Sequence, residues 1–442
     1  MNTSLYLSSI PLLSLVLSSS AFAITLDEAL KQAITHNRQI QIVRINIEQR
    51  RQELAAQKTR RLPASSATLI AGISPTRADV TFPNGVLGVY PGTGPIPGTD
   101  LKVGIPRHFS GFAFSTVGLP LTQQIRIGAG IEVAGLELEV SKTSRTRTTL
   151  EVAAQVRRLY FGLLSADAAA NAAQSTLGLA SEVERLAGQA VAAGVTLQSD
   201  RGEAIARRLR AESALAAINA ERENLREQFN QVLGRPLDEP IDLVRPDLPC
   251  TATPATPAAA ANKAVASRPE IDTGRLRIRQ AQIAARAKRA EQIPDISLAF
   301  MHFGFLNTGN LVPSNFAVAG LQLNWEPWDW GRRSKEAKAL RYQADAARLA
   351  LEEIVQQVRR QASQAFRAWE QTRTDLEAAE AAVAAAEASM RVVRRRFEQQ
   401  AALMREVLEA QATFETAQEQ RVRALSARGT AWANMQLALG EQ

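Results

Sequence analysis

Two hydrophobic periods share the chain. Phe112, Phe114 and Thr116 alternate with Ala113, Ser115 and Val117, and Leu321, Leu323 and Trp325 alternate with Gln322 and Asn324. A two-residue period puts the two sets on opposite faces of a strand, and predicts four strands at about 64–74, 110–122, 295–305 and 315–326. Long stretches rich in Ala, Glu, Arg, Gln and Leu, all good helix formers, predict helices at about 124–192 and 331–399. After a short break, further helices are predicted at about 196–233 and 403–439, each ending at a glycine. Helices at about 26–62 and 261–292 precede the strand pairs and stop at Pro63 and Pro294, which cannot continue the hydrogen-bond ladder. A stretch of about 68 residues makes a rod of roughly 100 Å at about 1.5 Å per residue. No globular core covers such a rod, so it must pack on other helices along its length. Helical periodicity alone leaves a filamentous coiled coil open.

The order of elements occurs twice. Ala33 to Pro63 aligns with Ala264 to Pro294 at a constant offset of 231, setting Ile40 on Ile271 and Ile47 on Ile278. Further on the offset is 206 or 207: Pro120 meets Pro327, Val152 meets Val358, Asp200 meets Glu406, and Leu233-Gly234 meets Leu439-Gly440. The change of about 25 residues marks one insertion between Pro63 and Pro120, whose prolines and glycines read as a long surface loop. The expected organisation is a leader at 1–23, a first repeat at 24–234, a Pro-rich linker at 235–260 and a second repeat at 261–442.

Composition narrows the class. The 442 residues hold one cysteine, Cys250, which excludes a disulfide framework and a thiolate zinc site. His36, His108 and His302 are too scattered for a histidine metal centre. The net charge of +8 comes from 52 basic and 44 acidic residues that interleave, a pattern of solvated helix faces more than of a nucleic-acid patch. After residue 23 no apolar run reaches the roughly 18 to 20 residues of a membrane-spanning helix. The leader combines an apolar core, Leu12 to Leu17, with Ala21-Phe22-Ala23 at a cleavage site, the arrangement of a secretory signal peptide, though without Lys or Arg in its first segment. A buried apolar helix is the alternative, and no cysteine follows to carry a lipid.

Four strands are too few to close a membrane barrel, which needs about eight. Open strand edges in lipid would leave backbone groups unsatisfied. Strands in a membrane therefore require several chains, and three would supply twelve. Trp325, Trp328 and Trp330 stand where the last strand ends, as in an aromatic girdle at a bilayer interface; a packed tryptophan cluster is the other reading.

The mature chain resembles the TolC-type outer-membrane efflux proteins. The resemblance is carried by Leu26-Asp27-Glu28-Ala29-Leu30 with Ala33 and Asn37, by Pro63 and Pro294, and by Pro327-Trp328-Asp329-Trp330-Gly331. Gly194 with Asp200 and Ala204, Val407-Leu408-Glu409-Ala410-Gln411 and the two Leu-Gly ends complete it. The resemblance implies a mostly α chain with a β portion, forming a homotrimeric 12-stranded outer-membrane β-barrel continued by a long α-helical coiled-coil barrel. It implies the exit duct of a tripartite efflux or type I secretion system, in contact with outer-membrane lipid, a periplasmic adaptor and an inner-membrane transporter. It implies no catalytic residue, cofactor or metal.

By position, the family's acidic aperture residues correspond to Glu406 and Glu409, three apart on one helix face, with Asp200 as a companion at the matching place in the first repeat. An ordinary solvated face, part-neutralised by Arg405, is the alternative. Adaptor docking falls on the tips, Ala193-Gly194-Val195 and Gln400-Ala401, where Gln400 replaces the usual glycine. From other classes, a periplasmic helical-hairpin adaptor predicts one hairpin rather than two, and a nucleic-acid-binding coiled coil fits only the basic charge.

Overall fold

The computed structural model describes residues 23–73, 78–105, 109–246, 254–306 and 313–441. Almost all of the expected leader, together with Pro75, Pro106, His108 and Cys250, lies outside them. In chain order the elements are α1 (Leu26–His36), α2 (Arg38–Thr59), β1 (Ala64–Ile73), β2 (Ala78–Phe82), β3 (Val89–Tyr90), β4 (Gly94–Pro95), β5 (Leu101–Ile105) and β6 (Phe109–Pro120). Then follow α3 (Gln124–Ala192), α4 (Gln198–Leu233), α5 (Pro257–Ser267), α6 (Pro269–Ala290), β7 (Asp295–Leu306), β8 (Asn315–Asn324), α7 (Arg332–Glu398) and α8 (Met404–Leu439).

Two compact units are present, and each draws on both halves of the sequence. One comprises Met1–Ile45, Thr143–Asp272 and Glu353–Gln442; the other comprises Asn46–Lys142 and Thr273–Glu352.

The second unit holds the main sheet, antiparallel throughout and ordered β1-β6-β7-β8. This corrects the expected architecture. Among the described residues the chain forms an open four-stranded sheet with β1 and β8 as free edges, not a closed 12-stranded barrel continued by a helical one. Four twisted strands cannot bring their edges round to meet, because closure requires a tilt and stagger shared by about eight. Among the described residues no helix is long and apolar enough to cross a membrane. The insertion is also more ordered than a loop: β2 pairs with β5, β3 with β4, and Asp100 accepts from the Asn84 amide at 2.8 Å.

The sheet's register sorts its faces. Leu69, Val117, Leu298, Phe300, Leu321 and Leu323 share one face, and all are exposed. The opposite face near the helical ends of the strands is polar, with Ser66 and Thr116 hydroxyls 2.8 Å apart and Arg126 on Asp295 at 2.6 Å. Farther along, that same face turns aromatic: Phe114, Phe303 and Phe316 sit on three adjacent strands, with ring centroids 4.9 and 6.1 Å apart.

The first unit holds two related cores. Leu26, Ala29, Ala33, Val156, Tyr160, Phe229 and Leu233 join α1, α3 and α4. Ala260, Phe366, Trp369, Met435 and Leu439 join α5, α7 and α8. Both helices expected to be single are broken, at Asn37 and at Arg268 before Pro269. Asn37 is buried; its side-chain carbonyl accepts from Gln39 N at 2.9 Å, starting α2, while its amide donates to the Val232 carbonyl at 2.9 Å. In the second copy Arg268 donates to the Leu437 carbonyl at 2.9 Å. Each break receives a left-handed glycine: a Cβ on Gly234 would lie 2.9 Å from the His36 carbonyl oxygen, and one on Gly440 3.1 Å from that of Ser267. A side chain would push the helix end off its neighbour in both places.

Candidate functional site: the two hairpin tips

The α3–α4 and α7–α8 turns have one backbone design. Gly194 takes φ +70°, and the Val195 amide reaches back to the Ala190 carbonyl at 2.9 Å. Gln400 takes φ +59°, and the Ala401 amide reaches the Arg396 carbonyl at 2.7 Å. This left-handed cap satisfies carbonyls at the end of the long helix. A Cβ costs roughly 1–2 kcal/mol in that conformation, so Gln400 is strained where Gly194 is relaxed. Arg396 offsets part of this by donating to the Ala401 carbonyl at 3.1 Å.

The three acidic residues have local partners. The Asp200 carboxylate accepts from the Thr196 hydroxyl at 2.6 Å, inside its own turn. Glu406 accepts from the Leu403 amide at 3.1 Å, capping α8. Both stand in the first turn of their helices, where the dipole favours negative charge. Glu409 is exposed and 3.5 Å from Arg405 on the next turn. Asp200 thus shares no hydrogen bond with Glu406 or Glu409 among the described residues.

Below the tips lies a cluster that sequence reasoning missed. Val183, Ala187, Ala204, Met390, Met404, Val407 and Leu408 are buried together. Arg207 of α4 donates to the Leu408 carbonyl of α8 at 2.6 Å. Arg394 of α7 meets Glu182 of α3 at 3.1 Å, and Arg208 meets Glu184 at 2.5 Å. Hydrogen bonds from Arg185, then the charges of Arg185 and Arg394, hold the Glu182 carboxyl below its ordinary range. No spacing in the sequence pairs residues about two hundred positions apart. Val195, Leu197 and Leu403 are each 60–69% exposed, an apolar trio at the outermost turns; Leu197 and Leu403 occupy helix N-caps without a side-chain cap.

The tryptophans are exposed and outside any packed core: Trp325, Trp328 and Trp330 at 56, 70 and 82%. Asp329 builds their turn by accepting from the Gly331 and Arg333 amides at 2.9 and 3.0 Å, which holds Trp330 at φ +54° and brings Trp328 edge-on to it.

This fold is that of solved outer-membrane channels. A membrane protein from Pseudomonas aeruginosa matches with a TM-score of 0.78 at 19% identity, over 94% of this chain and 90% of that one. The outer-membrane channel OprN matches at 0.76 and 18%, with the same coverages. The outer membrane protein VceC from Vibrio cholerae matches at 0.74 and 14%, over 94% and 96%. Residues 260–441 match the family model described as Outer membrane efflux protein. That match covers the second half of the chain, while the likeness of fold to the solved structures extends over nearly all of it. No curated protein sequence matches. The similarity is to efflux proteins and channels, not to enzymes.

Proposed function

We propose that the chain is the outer-membrane exit duct of a tripartite efflux or type I secretion system. It passes substrates delivered by an inner-membrane transporter, through a periplasmic adaptor, to the outside. The observation that carries this reading is the exposed apolar face of the sheet, Leu69 to Leu323, together with two free edges. In water such a face and such edges invite aggregation. In lipid the face is solvated, and the edges require backbone partners from other chains. The functional unit is accordingly a homotrimer, exported by the leader at residues 1–23. Trp325, Trp328 and Trp330 then sit at the lipid interface.

In this reading the tips, Ala193-Gly194-Val195 and Gln400-Ala401, meet the adaptor, which the exposed apolar trio beside them favours. Glu406 and Glu409 are the aperture acids and Asp200 their companion. Converging carboxylates from several chains would favour cations and be bridged by divalent ions.

The test is recovery and conductance of the full chain. It should fractionate with the outer membrane, require detergent, and conduct in planar bilayers with cation preference and block by divalent ions. Glu406→Gln/Glu409→Gln should keep conductance but weaken that block about tenfold or more. Soluble recovery without conductance would overturn the duct. Unchanged block would overturn the acidic aperture alone.

A further inference from the structure

The charge of the protein is not spread evenly. The unit at Asn46–Lys142 and Thr273–Glu352 holds 22 basic and 14 acidic residues, which is the whole net charge of +8. The other unit balances, with 30 of each. Within the basic unit, part of the surplus gathers at one groove of about 690 Å³ bordered by α3, α6 and α7.

Five arginines line it. Arg279 and Arg286 lie seven residues apart on α6, and Arg341 and Arg348 seven apart on α7; Arg289 completes the set on α6. Seven residues are two helical turns, about 10.5 Å of rise, so each helix offers its guanidinium groups at two levels. The buried Ala285 and Ala344 between them leave the floor low.

Acid within the groove is insufficient. Glu132 is held by Arg279 at 3.0 Å and Arg286 at 3.6 Å, and Asp345 by Arg348 at 2.8 Å. Arg289 and Arg341 are exposed and have no ion pair among the described residues. Five cations against two anions in one concave site repel each other, and the repulsion is relieved when an anion enters. Guanidinium groups present forked donors that match phosphate oxygens two at a time.

We infer that the α6–α7 groove is a binding site for a ligand carrying two or more phosphate groups, held chiefly by Arg289 and Arg341. The ligand is a phospholipid headgroup or a small soluble polyphosphate, which share this chemistry. The assignment stands on the groove's own geometry and does not depend on the duct reading.

Titration calorimetry on the full chain in neutral detergent at low ionic strength tests it, with sodium tripolyphosphate as probe. The parent should bind, and Arg289→Gln/Arg341→Gln should bind at least tenfold more weakly. Arg289→Lys/Arg341→Lys should fall between, because an ammonium keeps the charge and loses the fork. Cardiolipin added to the micelles should displace tripolyphosphate if the natural source is lipid; failure of cardiolipin to compete would assign the site to soluble polyphosphates. Three results would overturn the inference: no binding to the parent, equal binding by the Gln variant, or citrate binding as tightly as tripolyphosphate. A loss of oligomer mass in the Gln variant would also overturn it, making the groove a contact between copies.

Discussion

The two copies of the repeat reach the same backbone by different side chains. At the first helix break the first copy uses a buried Asn37 to hold the Val232 carbonyl, and the second uses Arg268 on the Leu437 carbonyl. Under that break the first copy has Tyr160, whose single hydroxyl proton is shared between the Val244 carbonyl and the Ile24 carbonyl, the latter at 2.9 Å. Offset by 206, the second copy has Phe366 and no such tie. At the tips a relaxed Gly194 faces a strained Gln400. What the copies share is a demand on backbone geometry: a carbonyl to satisfy, a turn to close. Which atom meets the demand is negotiable, and each copy is most vulnerable where it has a solution the other lacks.

The largest expected effect is on α8. A Cβ on Gly429 would lie 2.3 Å from Phe161 Cβ, so Gly429→Ala forces the α3–α8 contact apart and should cost about 3 kcal/mol. The matching position of the first copy is Glu223, a half-buried residue paired with Arg222 and Arg226. Glu223→Ala should cost no more than about 1 kcal/mol. Denaturant unfolding of both variants checks the pair; equal losses would erase the asymmetry.

Next comes the tyrosine tie. Tyr160→Phe makes the first copy like the second and should cost about 1–2 kcal/mol, since the Val244 carbonyl loses its partner. Burial pushes the Tyr160 phenol up to about 12 from its ordinary 10. The folded state therefore holds that proton more tightly than the unfolded state. The resulting stability is complete below pH 10 and disappears as pH rises from 10 to 12. A melting series across that window should show a decline in the parent that is shallower in Tyr160→Phe.

The smallest effect is at the tips. Gln400→Gly should stabilise by about 0.5–1 kcal/mol, and Gly194→Gln should destabilise by about 1 kcal/mol. No heavy atom lies within 4 Å of a Cβ on Gly194, so its penalty is backbone strain alone. Opposite signs in thermal shifts would sharpen the comparison. If both substitutions destabilised, Gln400 would have a role its hydrogen bonds do not explain.

Much of the element map was legible. A strand expected at about 295–305 spans Asp295–Leu306, and a helix expected at about 331–399 spans Arg332–Glu398. The helix breaks at Asn37 and Arg268 were not, because each depends on a carbonyl some 170 to 195 residues away. Strand pairing inside the insertion was hidden by its prolines and glycines, which read as turns whether or not short strands lie between them. For the candidate site, the sequence offered Glu406, Glu409 and Asp200 as acids at helix starts. It did not reveal that Asp200 bonds Thr196, that Glu406 caps Leu403, or that Arg207 and Arg394 tie the hairpins together.

The sequence by itself determined local structure: two-residue and helical periods, the stops at Pro63 and Pro294, and the recurrence of one plan at fixed offsets. These follow from sterics and burial within a few residues of each position. Tertiary structure alone decided which residues meet across the copies, that the sheet of one chain stays open at β1 and β8, and that the surplus charge collects beside α6 and α7. Those outcomes depend on the twist of strands and on which helix faces approach, and both are properties of the folded chain that no local window of residues contains.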